Sequence, residues 1–557
     1  MIEPGKQPMH RSILLAFALL FFSILLYGYG REFYDNFSWY SLPALFHTYP
    51  ENFRNDALSS FLTDRHPVYT FFLEQIFKTA HQGFWLFLFF TISKFLLFLG
   101  IIRIANTILS EKFLFIMSGI FLFPGIEFNL QYGGNENSFA MATPRLIATG
   151  FFLLGFSLLL ERKKIFAAIL FGVSSLIHMH FTFLCLPVVI LSECTAIYNS
   201  KKISYKNLIS PFVYFTISLP IIINSFLLSK ILFDRMDLIK EVYIDTVTYY
   251  HFEPNFFLKT RSLLFLIFLI PFLFYKKILL EKEKKMLWYF TVLIILVGTV
   301  ICIIFTYIFI HPFPIFIWYG GHTSFVSLTS FIFILAIIES GWDRFSLLKK
   351  YTIAACVYLA SIVPFVGITL FQFTALIKTI REKKTVIQFA INLFVLIVLF
   401  MLSPFLTDYF SQFYVLPKAL GRQNFQIPKE LYVYIKNNTD RSSIFLVPPL
   451  GFDGIRSIAL RSVVVDAKTH FEGEYLQIWK DRMLELSGDN MSTLTKTAVT
   501  SNAVYFKKSP DEITAISKKY KANYFVTGIV FEDKFKNSKN FELIFKDKNY
   551  VLYKIIL

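Results

Sequence analysis

Three aspartates stand in one short stretch of this chain. Residues 31–82 open with REFYDNFSWY and carry Asp35, Asp56 and Asp64 among Trp, Tyr, Arg and His side chains. The stretch follows the first apolar segment, so the carboxylates lie beside a bilayer. A single-pass anchor or a channel has little use for them there; an enzyme acting on a lipid-linked substrate at the membrane surface does. A carboxylate in such a place can take the proton of an attacking hydroxyl, and partial burial raises its pKa toward a working range. Asp35, seven residues beyond Gly28 and flanked by Tyr34 and Trp39, is the first candidate for that base, and Asp56 the second. Each also reads as a cap, Asp35 ahead of Asn36-Phe37-Ser38 and Asp56 ahead of a helix beginning at Ala57. Asp64-Arg65-His66-Pro67 reads as a turn with a local ion pair.

An anionic group would need cations. Arg145 opens an apolar segment, and its guanidinium suits a phosphate fork, although an interfacial arginine that snorkels to water has the same placement. His178 and His180 sit inside a long apolar run, where ionisable residues are functional candidates and hydrogen-bonded core histidines are the alternative. Two residues apart on one helix they do not share a face, so only a break in the helix would bring both to one site. The loop from His311 to His322 is aromatic. Trp318, Tyr319 and His322 could form a platform for a sugar acceptor, or belong to the ordinary interfacial belt. Glu136, in the turn Gln131 to Asn137, could meet a sugar hydroxyl or a metal, although the Gly and Asn density by itself indicates only a turn. Arg456, Arg461, Asp466, Lys468 and His470 gather around a strand end and could hold an acceptor, or be a solvated loop. Lys94 is a lone charge within an apolar span.

The elements that must position these groups are mostly membrane helices. The chain is 55% hydrophobic with 69 Phe in 557 residues, and its mean hydropathy is +0.55. Apolar runs long enough to cross a hydrocarbon core, roughly 17–25 residues, fall near 12–28, 84–102, 113–128, 146–160, 208–228, 262–275, 286–310, 324–340 and 386–403. The first resembles the start of a signal peptide but lacks a small-residue cleavage site, and reads as a retained helix. Basic clusters at 161–164, 201–206, 276–285, 344–350 and 381–384 belong in the cytoplasm by the positive-inside rule. That requires 165–197 to be a helical hairpin turning near His178-Met179-His180, and 351–377 a second one turning near Pro364. The result is about 11–13 membrane helices, with the N-terminus inside and the C-terminus outside. The net charge of +17 is spread over many loops, which suits anionic lipid head groups and not nucleic acid. Four cysteines, Cys185, Cys194, Cys302 and Cys356, lie in or beside apolar segments and form no disulfide or metal framework. No cofactor is called for, and a divalent metal is compatible with the carboxylates without being required. Oligomeric state is not legible.

From about residue 411 the apolar runs shorten and charge rises. A helix is expected over 428–438, strands at 443–447 and 462–465, helices at 474–486 and 510–520, and strands at 523–527, 541–545 and 550–555. Residues 411–557 therefore read as a soluble α/β domain outside the membrane, following a transmembrane domain of residues 1–410.

Taken together, the chain resembles the GT-C superfamily of integral membrane glycosyltransferases, in an uncharacterised bacterial branch. The resemblance rests on the acidic loop after the first helix, and on Thr143-Pro-Arg-Leu146, Glu161-Arg-Lys-Lys-Ile-Phe-Ala-Ala168 and Gly172-Val-Ser-Ser-Leu-Ile-His178. It rests also on the multi-span core ending in one α/β domain, and on Asp453-Gly-Ile-Arg456, Arg461-Ser-Val-Val-Val-Asp466 and Trp479-Lys-Asp-Arg482. It departs from the superfamily in lacking a clear double-acid motif in the first loop. The resemblance implies a sugar donor linked to polyprenyl phosphate and an acceptor outside the inner membrane: a lipid-linked glycan, part of a lipopolysaccharide, or a protein. It implies a first-loop carboxylate, Asp35 or Asp56, as base and inversion at the anomeric carbon. Arg145, His178 and His180 would face the donor phosphate, and Trp318, Tyr319, His322 and Arg456 the acceptor. A flippase for lipid-linked sugars and a noncatalytic envelope-assembly protein are the competing expectations; the chain shows no repeated halves of the kind transporters carry.

Overall fold

The computed structural model describes residues 9–27, 35–62, 64–121, 143–202, 204–233, 237–238, 280–309, 322–342, 428–449, 451–466, 475–488 and 498–556. The spans expected near 262–275 and 386–403 and the hairpin expected over 351–377 lie outside these residues. The membrane-type helices are α1 (Met9–Tyr27), α4 (Gln82–Ala105), α5 (Glu111–Phe121), α6 (Pro144–Leu160), α7 (Lys164–Ile177), α8 (His180–Ser200), α9 (Lys206–Phe233), α10 (Lys282–Tyr307) and α11 (Thr323–Gly341). Between α1 and α4 lie α2 (Asp35–Thr48) and α3 (Pro67–Phe77). Among the described residues, four helices, in α4, α8, α9 and α10, are long and apolar enough to cross a membrane by themselves.

The expected hairpin over 165–197 is present as α7 and α8. The His178 N–H still bonds the Ser174 carbonyl at 3.1 Å, but the His178 backbone is extended (φ −143°, ψ 109°) and α8 starts at His180. Buried hydroxyls tie the hairpin to its neighbours. Ser174 Oγ donates to the Ala148 carbonyl of α6 at 2.8 Å, and the Tyr214 hydroxyl of α9 meets Ser175 Oγ at 3.0 Å and the Thr182 carbonyl at 3.1 Å. Such bonds hold helices together where apolar contact alone gives no preference over lipid.

Helices α4 and α6 approach closely because each offers a glycine to the other. A Cβ at Gly100 would lie 2.6 Å from Leu153 Cβ, and one at Gly150 2.9 Å from Leu96 Cβ. Most of the buried apolar side chains of α1, α4 to α8, α10 and α11 belong to one core around this pair.

Ion pairs collect at one end of the bundle. Arg11 at the start of α1 meets Glu111 of α5, Arg103 at the end of α4 meets Glu161 beyond α6, and Arg162 meets Glu281 ahead of α10. Lys164 at the start of α7 reaches the buried Glu193 of α8 at 2.7 Å, and Glu339 near the end of α11 accepts from the Ser110 N–H. At the other end lie the start of α4, the start of α6, the α7–α8 turn and the start of α11. Arg145 and Glu161 are at opposite ends of one helix, about 24 Å apart at 1.5 Å per residue. Of the basic clusters used for the expected orientation, 161–164, the described part of 276–285, and Lys201, Lys202 and Lys206 beside Glu193 meet at this end, and those at 344–350 and 381–384 lie outside the described residues.

Among the described residues, the C-terminal region forms a five-stranded sheet with helices α12 (Lys429–Asn438), α13 (Leu476–Ser487), α14 (Ala498–Lys507) and α15 (Pro510–Tyr520). Its strands β1 (Ile444–Leu446), β2 (Ser462–Val463), β3 (Tyr524–Gly528), β4 (Phe541–Lys546) and β5 (Tyr550–Ile555) run in the order β2-β1-β3-β5-β4. β1 pairs parallel with β2 and β3; β5 pairs antiparallel with β3 and β4. A capping box of Ser509 and Glu512 with Pro510 starts α15 where the sequence places it. Helix α14 is not among the elements read from the sequence. The stretch linking this region to the membrane helices, including residue 411, lies outside the described residues.

The glycine contact gives a direct test. Gly150→Val is expected to force α4 and α6 apart and to cost about 1–3 kcal/mol, read as a lower Tm of the detergent-solubilised protein. An unchanged Tm would mean the two helices do not depend on that approach.

Candidate active site

At the end of the bundle opposite the ion pairs, basic side chains from four separate parts of the chain converge. His178 and His180 come from the α7–α8 turn, with ring centroids 4.8 Å apart. The break at residue 178 is what allows both to reach one place, which a continuous helix would forbid. His66 comes from the outer loop. Pro67 sits at the first position of α3 and keeps His66 out of the helical region (φ −135°, ψ 57°), and the His66 ring lies 4.6 Å from that of His178. Arg145, buried in the first turn of α6 behind the Thr143 cap, donates to the hydroxyl of Tyr40 from α2. The Tyr40 ring stands 5.3 Å from His66 and 6.3 Å from His178. His322, the residue before α11, is buried with its ring 4.7 Å from Phe181. The charged groups that bear most on His178 are His66, His180, Arg145 and His322, all basic.

Two of these rings are buried with nitrogens left over. His178 is 1% exposed and neither ring nitrogen has a hydrogen-bond partner; His66 is 6% exposed and its Nδ1 has none. Buried polar groups are ordinarily satisfied, so these ring nitrogens leave hydrogen-bonding capacity open to a ligand. A metal fits poorly: among the described residues no set of three or more His, Cys, Asp or Glu is placed to hold one. An anion suits both the charge and the donors.

The loop carboxylates fare differently. Asp64 is half-buried; its Oδ1 accepts from the His66 N–H and the Thr70 hydroxyl, each at 2.9 Å, an Asx turn that fixes the direction of His66. Burial raises the Asp64 pKa, and those two hydrogen bonds offset only part of the rise. Asp56 caps the short helical turn Ala57–Ser60 through Leu58 N–H at 3.0 Å, as its capping alternative anticipated. Both its oxygens are also held by Arg456, Nε to Oδ2 at 2.8 Å and Nη2 to Oδ1 at 2.9 Å, and Oδ2 takes the Val463 N–H at 3.2 Å. The Asp56 side chain is fully buried and that of Arg456 2% exposed. Asp56, expected as a candidate base, and Arg456, expected with the acceptor, are thus buried and paired with each other. Burial pulls the Arg456 pKa down, but Asp56 and then Asp466 outweigh it and leave it above its ordinary value. Asp35 is the first residue of α2; its side chain lies outside the described residues, as do Trp318, Tyr319, Glu136, Lys468 and His470.

Residues 428–486 match a family model described as a domain of unknown function, DUF6798. No curated protein matches the chain. Among solved structures, the chain is similar to ArnT from Cupriavidus metallidurans, crystallised with undecaprenyl phosphate, with a TM-score of 0.46 and 10% identity over 98% of this chain and 97% of that one. A likeness that loose carries no argument, and function must be argued from the cluster.

Sequence reasoning placed Arg145, His178 and His180 in one role, and the structure brings them together. His322, expected with the acceptor, joins them instead. His66 was absorbed into a turn reading; its signal was a histidine directly before a helix-starting proline in an aromatic loop beside the membrane.

The cluster makes pH a probe. Burial, with the charges of His180, Arg65 and Arg145, holds the His66 pKa well below 6.5. A folded pKa below the unfolded one contributes stability that is present above about pH 6.5 and lost as pH falls toward the folded value, by about 1.4 kcal/mol per pH unit per proton. The Tm of the ligand-free protein is expected to fall from pH 7 to pH 5, and His66→Gln to flatten part of that fall. An identical slope in the variant would show that His66 does not titrate this way.

Proposed function

We propose that the protein is an integral membrane glycosyltransferase that moves a sugar from a polyprenyl-phosphate carrier to an acceptor hydroxyl at the outer face of the cytoplasmic membrane. One observation carries the reading: a buried set of basic groups, with unsatisfied histidine nitrogens, at the end of the bundle opposite the lysine- and arginine-rich face. A lipid phosphate is the anion that reaches such a place from the bilayer.

In this reading Arg145 grips the phosphate, with His178, His180, His66 and His322 around it. The acceptor oxygen attacks the anomeric carbon, the bond from that carbon to the phosphate oxygen breaks, and its electron pair stays on the carrier phosphate, where the basic groups stabilise it. A carboxylate takes the acceptor proton as the new bond forms, and one displacement inverts the anomeric carbon. Of the three loop aspartates, Asp56 is consumed by Arg456 and Asp64 holds the turn of His66, which leaves Asp35. Its helix α2 carries Tyr40 to Arg145, five residues further on and about 7.5 Å along the axis. The C-terminal region lies on this outer side, where it meets the loop. The donor phosphate role of Arg145, His178 and His180 is thus retained, and that of acceptor ligand is left to Trp318 and Tyr319.

The test is mass spectrometry of lipid extracts and envelope glycans from a deletion strain, rescued with wild type, Asp35→Asn or Asp64→Asn at equal membrane expression. Accumulation of a polyprenyl-phosphate sugar, loss of one envelope sugar, and rescue by wild type but not by Asp35→Asn support the proposal. With purified protein, Asp35→Asn is expected to slow transfer by about 10²- to 10⁴-fold while undecaprenyl phosphate still binds. Arg145→Met is expected to weaken that binding. Full rescue by Asp35→Asn but none by Asp64→Asn moves the base to Asp64; full rescue by both removes the enzyme reading in favour of a flippase or a noncatalytic protein.

A further inference from the structure

We infer that Arg456 is a positioning residue for the phosphate cluster: held between Asp56 and Asp466, it makes the C-terminal region the template on which the loop carrying His66 is shaped. The inference rests on the reading of that cluster as a lipid-phosphate site and gives a role to the segment matched as a domain of unknown function.

Hydrogen bonds join residues 38–56 of the loop to residues 442–463 of the C-terminal region, and the rings of Phe61 and Tyr475 lie 6.3 Å apart beside them. Ser38 Oγ donates to the Asp453 carbonyl at 3.4 Å, Asn52 Nδ2 to the Leu460 carbonyl at 3.1 Å, and Asn55 Nδ2 to the Ser442 carbonyl at 2.8 Å. Ser462 Oγ returns a bond to the Asn52 carbonyl at 3.2 Å. Asp56 lies at the centre of this seam, and its contact with the Val463 N–H also satisfies the open edge of strand β2. Arg456 Nη1 donates to Asp466, whose carbonyl receives the Trp479 indole N–H at 2.8 Å. The cation is therefore anchored to the sheet and to α13 on one side and to the loop on the other.

What the seam fixes is the path into the cluster. Ser38 is two residues ahead of Tyr40, the partner of Arg145, and Asp56 is ten residues ahead of His66. Apolar side chains back this up: Leu42, Leu45, Phe53, Leu58, Tyr69 and Tyr475 belong to one buried core with Met179 of the hairpin turn. A guanidinium satisfies both carboxylates because its fork makes parallel bonds to Asp56 while a third nitrogen reaches Asp466. Removing it would leave two buried carboxylates facing each other, and the loop would move to solvate Asp56.

The test uses the full chain in detergent, with undecaprenyl phosphate as the lipid probe and inorganic phosphate and polyprenol as separate arms. Binding by undecaprenyl phosphate alone marks a lipid-phosphate site, whereas equal competition by inorganic phosphate marks a site for free phosphate. Arg456→Met is expected to weaken binding by about 10- to 100-fold, His66→Gln by a similar factor, and the double variant by no more than either alone. Residues acting through one loop are non-additive in this way, whereas general loss of stability is not tied to His66. Arg456→Lys, which keeps the charge and loses the fork, is expected to fall between wild type and Arg456→Met, and it serves if the methionine variant does not fold. Limited trypsin cleavage after Arg54 and Arg65 reads the loop without any ligand and is expected to accelerate in Arg456→Met. Unchanged affinity, or multiplying losses in the double variant, would overturn the inference. Should wild type bind no form of phosphate, the phosphate reading falls and the trypsin arm alone decides whether Arg456 holds the loop, unchanged protection counting against it.

Discussion

A buried arginine must find its counter-charge inside the protein, and here the counter-charge of Arg456 is supplied by residue 56, four hundred positions away. The structure around the outer loop depends on that pairing. Removing a guanidinium and a carboxylate from water is costly, and their attraction repays the cost only where geometry is good and the remaining lone pairs are filled. Both conditions are met: Asp56 takes bonds from Arg456, Leu58 and Val463, and the third arm of the guanidinium goes to Asp466. The pair therefore adds less to net stability than it adds to definition, since any other register of loop and sheet leaves a charge without a partner.

The second constraint is the end of α7. A helix that continued through residue 180 would turn His178 and His180 to different faces. By breaking at His178 the chain reverses direction within the bundle, returns α8 toward the ion-paired end, and leaves both imidazoles at the turn. The same end receives Arg145 through the Thr143-Pro144 start of α6 and His66 through the Pro67 start of α3. Three unrelated terminations, each with its own local cause, thus place basic groups at one depth. Terminations also expose unpaired backbone N–H groups, which adds to the preference of this region for negative charge.

Much of this was legible in the sequence, and the remainder was not for definite reasons. The helices α1, α4, α6, α9, α10 and α11 follow from apolar length, and the hairpin of α7 and α8 from the requirement that lysines and arginines share one side. The strands β1 to β5 and helix α15 are local in their signals, being short apolar runs between turns and a Ser-Pro-x-Glu start. Helix α14 was missed because Ala498-Val-Thr-Ser-Asn-Ala-Val-Tyr has no clear helical period and mixes two alanines with Val, Thr, Ser and Asn; its Tyr505 hydroxyl is bonded to the Leu446 and Val526 carbonyls of the sheet, a tertiary contact with no local trace. The partnership of Asp56 with Arg456 has no local trace, since spacing says nothing across four hundred residues. One clue was present: Arg456 stands in Gly454-Ile-Arg-Ser-Ile-Ala-Leu460, a context too apolar for a solvated arginine, so a buried carboxylate partner was implied without being identified.

Among the described residues, the buried surroundings of Arg456 and of His178 are opposites, and the contrast argues for what each does. Around Arg456 every nitrogen that forms the fork meets a carboxylate, and a site closed in this way has nothing to offer a ligand. Around His178 the strongest charged neighbours are basic, two ring nitrogens have no partner, and Arg145 is held by a tyrosine hydroxyl. Burial and basic neighbours disfavour protonation of His66, and an anion beside it reverses that preference. The arrangement is therefore stabilised most by a visitor that brings negative charge and several acceptor oxygens. At the rim of a membrane bundle, with Tyr40 and Asp64 fixing the approach, a phosphate carried on a lipid meets both requirements and arrives already concentrated in the plane of the bilayer.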